Sequence, residues 1–394
     1  MTSPSLNKRL LIVCGCSKRG SSIGVIGSVI TSFKAIGITN IDLFDTSFYE
    51  MHRASDYDVV NYFSLPQSSY LLFIRRIPYI RSIVAKWLTL RCYRRILSHF
   101  KYDLIIIHQI PAFCEQLIDI VKHESAVMIR PWGSEVLRAS SSFQSVLMRV
   151  FAKTDYVLGY PGSTLLAHII DNYGVPPQKI VDYEAPIRGI SLITSLMGKM
   201  SREQMSSQIG IRNSSFNVVC GYSAARSHRH ELIINSFACI HDTLPQDYQL
   251  IFLVTYGGSV EYINHLKYLC SLKGLKATFV ESFISDEQLA FLHLITDLYI
   301  NIQPSDNGSA FLIESLVAGN RIVCGSWLKY SSFEKFGIPY FQINCTDELP
   351  SFLDLFIRGL LPDVVIPQKL VQVLSGYSIE ELKMNWANLF HSLK

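Results

Sequence analysis

Two stretches of the chain combine small residues, charge and a following helix in the way a phosphorylated ligand demands. The first reads Gln303-Pro-Ser-Asp306-Asn-Gly-Ser309-Ala310-Phe-Leu-Ile-Glu314-Ser-Leu-Val-Ala-Gly319. An apolar run ends at Ile302, a polar glycine-containing turn follows, and a helix begins. The first amides of a helix have no intrahelical partner and carry partial positive charge, so a turn of this kind suits phosphate near Ser309 and Ala310. Asp306 lies in the turn and Glu314 eight residues later, two turns into the helix by spacing. Carboxylates so placed can meet two parts of one elongated ligand, such as a sugar and ribose hydroxyls. The same spacing equally serves a capping aspartate and a solvated glutamate.

The second stretch reads Val219-Cys-Gly221-Tyr-Ser223-Ala-Ala-Arg226-Ser-His228-Arg229-His230. Small residues let backbone approach a ligand, and Arg226 and Arg229 can neutralise a diphosphate. A charged, solvated loop would carry the same residues. Nearer the N-terminus, Gly15, Gly20 and Gly24 follow the first apolar run, with Lys18 and Arg19 among them. Their spacing is not that of the dinucleotide fingerprint, which disfavours a nicotinamide site. His108 closes another apolar run, and Arg130-Pro-Trp132-Gly-Ser-Glu135 closes the next. Asp56-Tyr-Asp58 has the form of a metal-binding DxD but lies in a polar segment without strand context. No P-loop, zinc spacing or hydrolase triad signature is present, and no resident metal or cofactor is expected.

The elements that must hold these residues follow from hydropathy. Continuous apolar runs at 9–14, 41–44, 104–108, 126–129 and 156–159 read as strands covered on both faces. So do runs at 217–220, 249–254, 276–280, 298–302, 321–324 and 340–343. Helix-length amphipathic segments alternate with them, which argues for parallel α/β units. The pattern restarts after a polar, Ser- and Met-rich stretch near 187–215. Domains are therefore expected at 1–190 and 191–377, with a terminal helix over 378–394 packing back toward the first. Two doubly wound domains would turn their strand C-termini toward a central cleft, where such sheets bind ligands.

With 394 residues, 49% hydrophobic and 17% charged, the chain is too apolar for disorder. Its 36 basic and 32 acidic residues leave a net charge of +4, too small an excess to suggest nucleic acid as partner. No apolar run reaches the roughly 18–20 residues of a membrane span, and the first apolar stretch is too short for a secretion signal. The nine cysteines are scattered, as in a reducing compartment. A cytoplasmic location is expected.

Together the two stretches resemble the C-terminal domain of GT-B glycosyltransferases, particularly retaining family-4-type enzymes of bacterial surface-polysaccharide assembly. Where that family has Glu-x7-Glu, this chain has Asp306-x7-Glu314, so the first acid departs from the pattern. The basic loop resembles the family's Arg…Lys pair, with Arg229 at the lysine position and Arg226 at the arginine position. It also looks like the Gly-x-Ser-x…His loop of bacterial transferases that add fucosamine to lipid-linked precursors. Arg130-Pro-Trp132-Gly-Ser-Glu135 is similar to the family's Trp-Gly-Ser-Asp turn, and Tyr173-Gly-Val-Pro-Pro-Gln-Lys-Ile to its run before the interdomain hinge. Gly325-Ser-Trp327-Leu-Lys-Tyr330 and Gly337-Ile-Pro-Tyr340 resemble a variant found in surface-polysaccharide transferases. The likeness spans most of 100–345 at pattern level.

The resemblance implies a metal-independent, retaining transferase of the GT-B fold. Its donor would be a UDP-, GDP- or dTDP-sugar, bound by Gly15, Gly221, Ser223, Arg226, Arg229, Asp306, Ser309, Ala310 and Glu314. Asp306, Glu314, Arg229 and His108 would carry the catalytic roles, and His108, Trp132 and Glu135 would line the acceptor side. The acceptor would be a polyprenyl-linked glycan. A sugar-nucleotide epimerase or hydrolase of the same fold, or a non-catalytic scaffold, would share many of these features.

One feature is independent of the family. Residues 70–101 hold eight Lys/Arg, no acid, and interleaved aromatic and aliphatic residues. Such a segment can lie in the headgroup layer of an anionic membrane, placing the protein on the inner face; an amphipathic surface helix with a charge bias is the plainer alternative.

Overall fold

The computed structural model describes residues 8–15, 21–47, 57–66, 73, 77–121, 124–159, 163–181, 188–330, 333, 337–338, 340–361 and 379–393. Among these residues two parallel sheets form, one in each of two units. One comprises Met1–Pro186 with Tyr377–Lys394, the other Ile187–Gly376.

The first sheet has seven strands in the order β3-β2-β1-β4-β5-β6-β7, all parallel. They are β1 Leu10–Cys14, β2 Ile41–Asp45, β3 Asn61–Ser64, β4 Leu104–His108, β5 Ala126–Arg130, β6 Tyr156–Leu158 and β7 Ile180–Val181. Strands β1, β2 and β4 are buried along their whole length because helices cover both faces, so most of their residues are Leu, Ile or Val; Asp42, Asp45 and His108 are buried polar exceptions. The helix Ile379–Ser392 belongs to this unit. Its Leu382, Trp386, Leu389 and Phe390 enter the core beside Leu10, Ile12 and Ile30, and Trp386 meets Phe33 edge-on at 4.7 Å.

The second sheet runs β10-β9-β8-β11-β12-β13, again all parallel. Its strands are β8 Phe216–Cys220, β9 Tyr248–Leu253, β10 Ala277–Val280, β11 Leu298–Asn301, β12 Arg321–Gly325 and β13 Phe341–Ile343. Serine caps set the following helices: Ser259 Oγ accepts from Tyr262 N–H and Ser285 Oγ from Gln288 N–H.

Strand order reverses beside β1 and β4 in the first sheet, and beside β8 and β11 in the second. At such switch points the loops at the strand carboxyl ends diverge and leave a crevice. In-register pairing puts Cys14, Asp45, His108 and Arg130 on one line at that end of the first sheet. Two strands, β3 and β7, lie outside the sequence expectation. β3 is a four-residue edge strand with only Tyr62 and Phe63 between Asn61 and Ser64, and β7 has only two residues, so neither makes a readable apolar run. Among the described residues no helix is long and apolar enough to cross a membrane.

Candidate functional site

In the second unit the two stretches singled out from the sequence leave the adjacent strands β8 and β11. Gly221 follows β8 with φ +78°, and the His228 ring lies so close that a Cβ there would sit 2.9 Å from its Cγ. Only glycine satisfies both conditions. Ser223 Oγ accepts from Ala225 N–H at 3.3 Å, and Ala224 N–H donates to the Tyr256 carbonyl at 2.7 Å. The loop ends at Arg229, whose φ of +56° is left-handed. Arg229 starts the helix His230–Cys239 without a side-chain cap. Its guanidinium lies over the Trp327 ring, 5.5 Å from the centroid.

Arg226 is directed elsewhere. It sits over the Tyr262 ring at 4.2 Å, pairs with Glu231 at 3.6 Å, and its side chain is 75% exposed. His230 is buried, with Nδ1 3.3 Å from Tyr262 Oη. Burial lowers its pKa to about 4, opposed in part by the Ser223 backbone.

The turn after β11 is organised by Asp306. Its Oδ2 accepts from Asn301 Nδ2 at 3.0 Å and from Tyr330 Oη at 2.8 Å. Burial raises its pKa, while Tyr330, Asn301 and the backbone amides of Ser309 and Asn307 oppose the rise. Gln303 Nε2 donates to Asn301 Oδ1, and Trp327 Nε1 to the Gln303 carbonyl at 2.7 Å. Ser309 then caps the helix Ala310–Val317, accepting from Leu312 N–H. Two contacts tie this turn to the first: Ser227 Oγ reaches Gln303 Oε1 at 3.5 Å, and Tyr222 stacks on Phe311 at 5.9 Å.

Glu314 stands one turn into this helix, not two, because the turn extends to Ser309. It is neither a solvated face residue nor a cap: only 7% of it is exposed. His293 Nε2 lies 3.2 Å from Glu314 Oε2, and His293 Nδ1 lies 3.1 Å from Ser315 Oγ. On the other side Gly189, in the helix Arg188–Leu196, lies directly against the carboxyl group. The structure therefore brings together Gly221, Ser223, Arg229, Asp306, Ser309 and Ala310 around two neighbouring loops. Glu314 lies beneath them, held by two residues that sequence reasoning missed, His293 and Gly189. Asn301 and Tyr330, which hold Asp306, were also missed as site residues. Asn301 lies five residues before Asp306, but nothing in local spacing links Tyr330, His293 or Gly189 to their partners.

In the first unit Gly15 follows β1 beside Thr46, whose Oγ1 donates to the Cys14 carbonyl at 2.9 Å. Gly20, Lys18 and Arg19 lie outside the described residues, as does Asp56; Gly24 is in the helix Ser21–Ala35, and Asp58 pairs with Lys34. His108 ends β4, 1% exposed, and neither ring nitrogen has a hydrogen-bond partner among the described residues. Burial, and secondarily the charge of Arg130, hold its pKa well below the usual histidine value, so the ring is neutral. Gln109, next in sequence, takes φ +62°. Trp132 N–H donates to Glu135 Oε1 at 2.6 Å, while Glu135 Oε2 and Trp132 Nε1 stay unpartnered among the described residues. Burial raises the Glu135 pKa, against the amides that donate to it. Buried polar atoms without partners are costly, and a cluster of them at a strand carboxyl end marks a place where hydroxyl groups can bind. Among the described residues no group of three or more His, Cys, Asp or Glu is arranged to hold a metal ion.

No family model matches the sequence, and no curated protein matches it. Solved structures do. A glycosyltransferase from Rickettsia africae superposes with a TM-score of 0.69 at 13% identity, covering 98% of this chain and 99% of that one. HepE from Anabaena, in complex with UDP, gives 0.66 at 13% identity over 98% of this chain and 100% of its own. The lipopolysaccharide outer core galactosyltransferase WaaB gives 0.62 at 14% identity, covering 97% and 99%. Likeness of this extent, with two parallel doubly wound sheets, shows the two-domain α/β fold of the GT-B glycosyltransferases.

Proposed function

We propose that this GT-B chain is a glycosyltransferase that moves a sugar from a nucleotide-sugar to a glycan acceptor. One observation carries the reading. Two loops that combine small and charged residues leave β8 and β11, the strands that flank the switch point of the second sheet. HepE, which shares the fold, was crystallised with UDP and with UDP-glucose. A UDP-sugar is accordingly the first donor to test, ahead of GDP- and dTDP-sugars.

In this reading the leaving diphosphate lies over the amides near Ser309 and Ala310, with Arg229 supplying the positive charge. Fixed donors aimed at developing charge are usually the largest catalytic contribution. No metal is invoked for that step. Gly221 and Ser223 let the first loop approach the phosphates. Glu314 accepts hydrogen bonds from the ribose, and Asp306 shapes the turn that meets the donor sugar. Arg226, drawn off by Glu231 and Tyr262, contributes less than Arg229. His108, neutral and without a hydrogen-bond partner among the described residues, would accept a hydrogen bond from a sugar hydroxyl beside Trp132 and Glu135, and Gly15 would contribute backbone. The reaction is retaining, the acceptor is a polyprenyl-linked glycan of the O-antigen or capsule kind, and the enzyme works peripherally at the cytoplasmic membrane face.

The test is calorimetry and thermal shift with UDP, GDP, dTDP and CMP, each with and without divalent cation. A bound nucleotide at a hundred times its Kd should stabilise the protein by about 2.7 kcal/mol. Glu314→Ala should weaken that binding. Donor turnover without acceptor would favour a hydrolase or epimerase, and absence of binding by every nucleotide would overturn the donor site in favour of a scaffold.

A further inference from the structure

The helix Pro78–His99 carries no acidic residue over its 22 positions. Its inner face is occupied: Leu88, Tyr93 and Ile96 are buried in the core of the first unit with Phe44 and Leu65. Its outer face is not what a solvated helix shows. Ile80, Ile83 and Trp87 are 46%, 70% and 55% exposed, and Arg91, Arg94 and Arg95 continue the row outward. Steps of three and four residues put them on one stripe, about 22 Å from end to end at 1.5 Å per residue. The stripe is divided. Its first half is apolar and its second half cationic, joined where the Arg91 guanidinium lies 5.2 Å from the Trp87 ring centroid. Among the described residues none of the three arginines has an ion-pair partner. Phe73, upstream, is also exposed.

We infer that this stripe docks the protein on an anionic phospholipid bilayer. Ile80, Ile83 and Trp87 enter the boundary between headgroups and acyl chains, and Arg91, Arg94 and Arg95 meet lipid phosphates. Charge and apolar surface in one line fit that occupant better than the alternatives. A second copy of the chain across a twofold contact would set the arginines against each other or, antiparallel, against Ile80 and Ile83, and the helix has no acid to answer them. A nucleic acid would satisfy the arginines but give the Ile80–Ile83 end nothing apolar to enter. A helix with an aromatic and aliphatic row beside a cationic one is the form that lies in a membrane interface. The inference deepens the peripheral placement proposed above by assigning its surface, and it stands on this helix whether or not a nucleotide-sugar binds.

The full chain should co-sediment with phosphatidylcholine vesicles containing phosphatidylglycerol and much less with phosphatidylcholine alone. Each cation is worth about fivefold in partitioning near an anionic surface, so replacing Arg91, Arg94 and Arg95 together by Gln should weaken binding about a hundredfold. Ile83→Ser with Trp87→Ser should abolish the binding that persists at high salt. Trp87 emission should shift to the blue on vesicles, a change lost in Trp87→Phe. All these positions are on the surface, so melting temperature and nucleotide binding should be unchanged, which separates failure here from failure of the donor site. Equal binding to both kinds of vesicle, or binding untouched in the triple arginine variant, would overturn the proposal. So would a change of oligomeric state, or loss of DNA binding, as the sole effect of the variants.

Discussion

Replacing Gly189 by alanine sets two effects of opposite sign against each other. Gly189 is the second residue of the helix Arg188–Leu196, and helix propensity alone favours alanine by about 0.5–1 kcal/mol. A Cβ at this site, however, overlaps the Glu314 carboxyl group and stands 3.0 Å from its Cγ. The carboxyl group must swing away, and His293 Nε2 then loses the partner now 3.2 Å off. Both groups are buried, so each is left without its hydrogen bond in a place water does not reach. Breaking such a pair costs about 1–3 kcal/mol, and more where charge is involved. The net effect is a loss of about 2 kcal/mol, or about 4–8 °C in the melting temperature of a unit this size. Scanning calorimetry reads it directly. Gly27, in the helix Ser21–Ala35, is the control: a Cβ there meets nothing within 4 Å, so Gly27→Ala should raise the melting temperature. In a Glu314→Ala background the cost of Gly189→Ala should vanish, since the clash is gone. If Gly189→Ala stabilises as Gly27→Ala does, or costs the same without Glu314, the packing argument is wrong.

Three further outcomes rest on other groups of the two units. Arg229→Ala should weaken UDP binding by about 10–100-fold, the worth of a charge-assisted hydrogen bond, and Arg226→Ala much less; calorimetry giving the reverse order would reverse the roles assigned to the two arginines. Burial raises the Glu135 pKa above its unfolded value of about 4.3, so the folded state holds the proton longer. Stability is then lost as pH rises through the folded pKa, and Glu135→Gln should gain on wild type as pH rises above about 4.3 in urea titrations, a gain absent if Glu135 titrates normally. His230 shifts the other way, to about 4. Above about pH 6.5 it is neutral in both states; as pH falls toward 4 only the unfolded chain takes the proton, and on the order of 3 kcal/mol is lost. His230→Gln should flatten that part of the acid limb, and a wild-type-to-variant difference constant with pH would refute the assignment.

The architecture was legible in the sequence because strands covered on both faces must be made of consecutive apolar residues. Eleven such runs coincide with strands of the two sheets, and the alternation with helices implied parallel pairing. The loops worth inspecting were legible for a related reason. Strand-to-helix turns that approach a ligand need small residues, and Gly221 shows the requirement in its positive φ and its contact with His228. Edge strands β3 and β7 were not legible, since each has only two apolar residues, too few to leave a pattern.

What each charged side chain does was decided only by tertiary contacts. Spacing put Asp306 and Glu314 in one segment, yet apart from Asn301, five residues before Asp306, their partners come from elsewhere: Tyr330 for one, His293 and Gly189 for the other. Arg226 and Arg229 look interchangeable in sequence, but Glu231 and Tyr262 draw off the first while the second turns over Trp327. The same holds for residues 78–99, where composition showed excess cation and aromatic content but packing of Leu88, Tyr93 and Ile96 chose the face left outside. Backbone hydrogen bonding and apolar burial act at every residue, so they leave a periodic trace along the chain. A side chain's charge and hydrogen bonds depend on which few atoms lie within about 3 Å, and only the folded packing brings those atoms together.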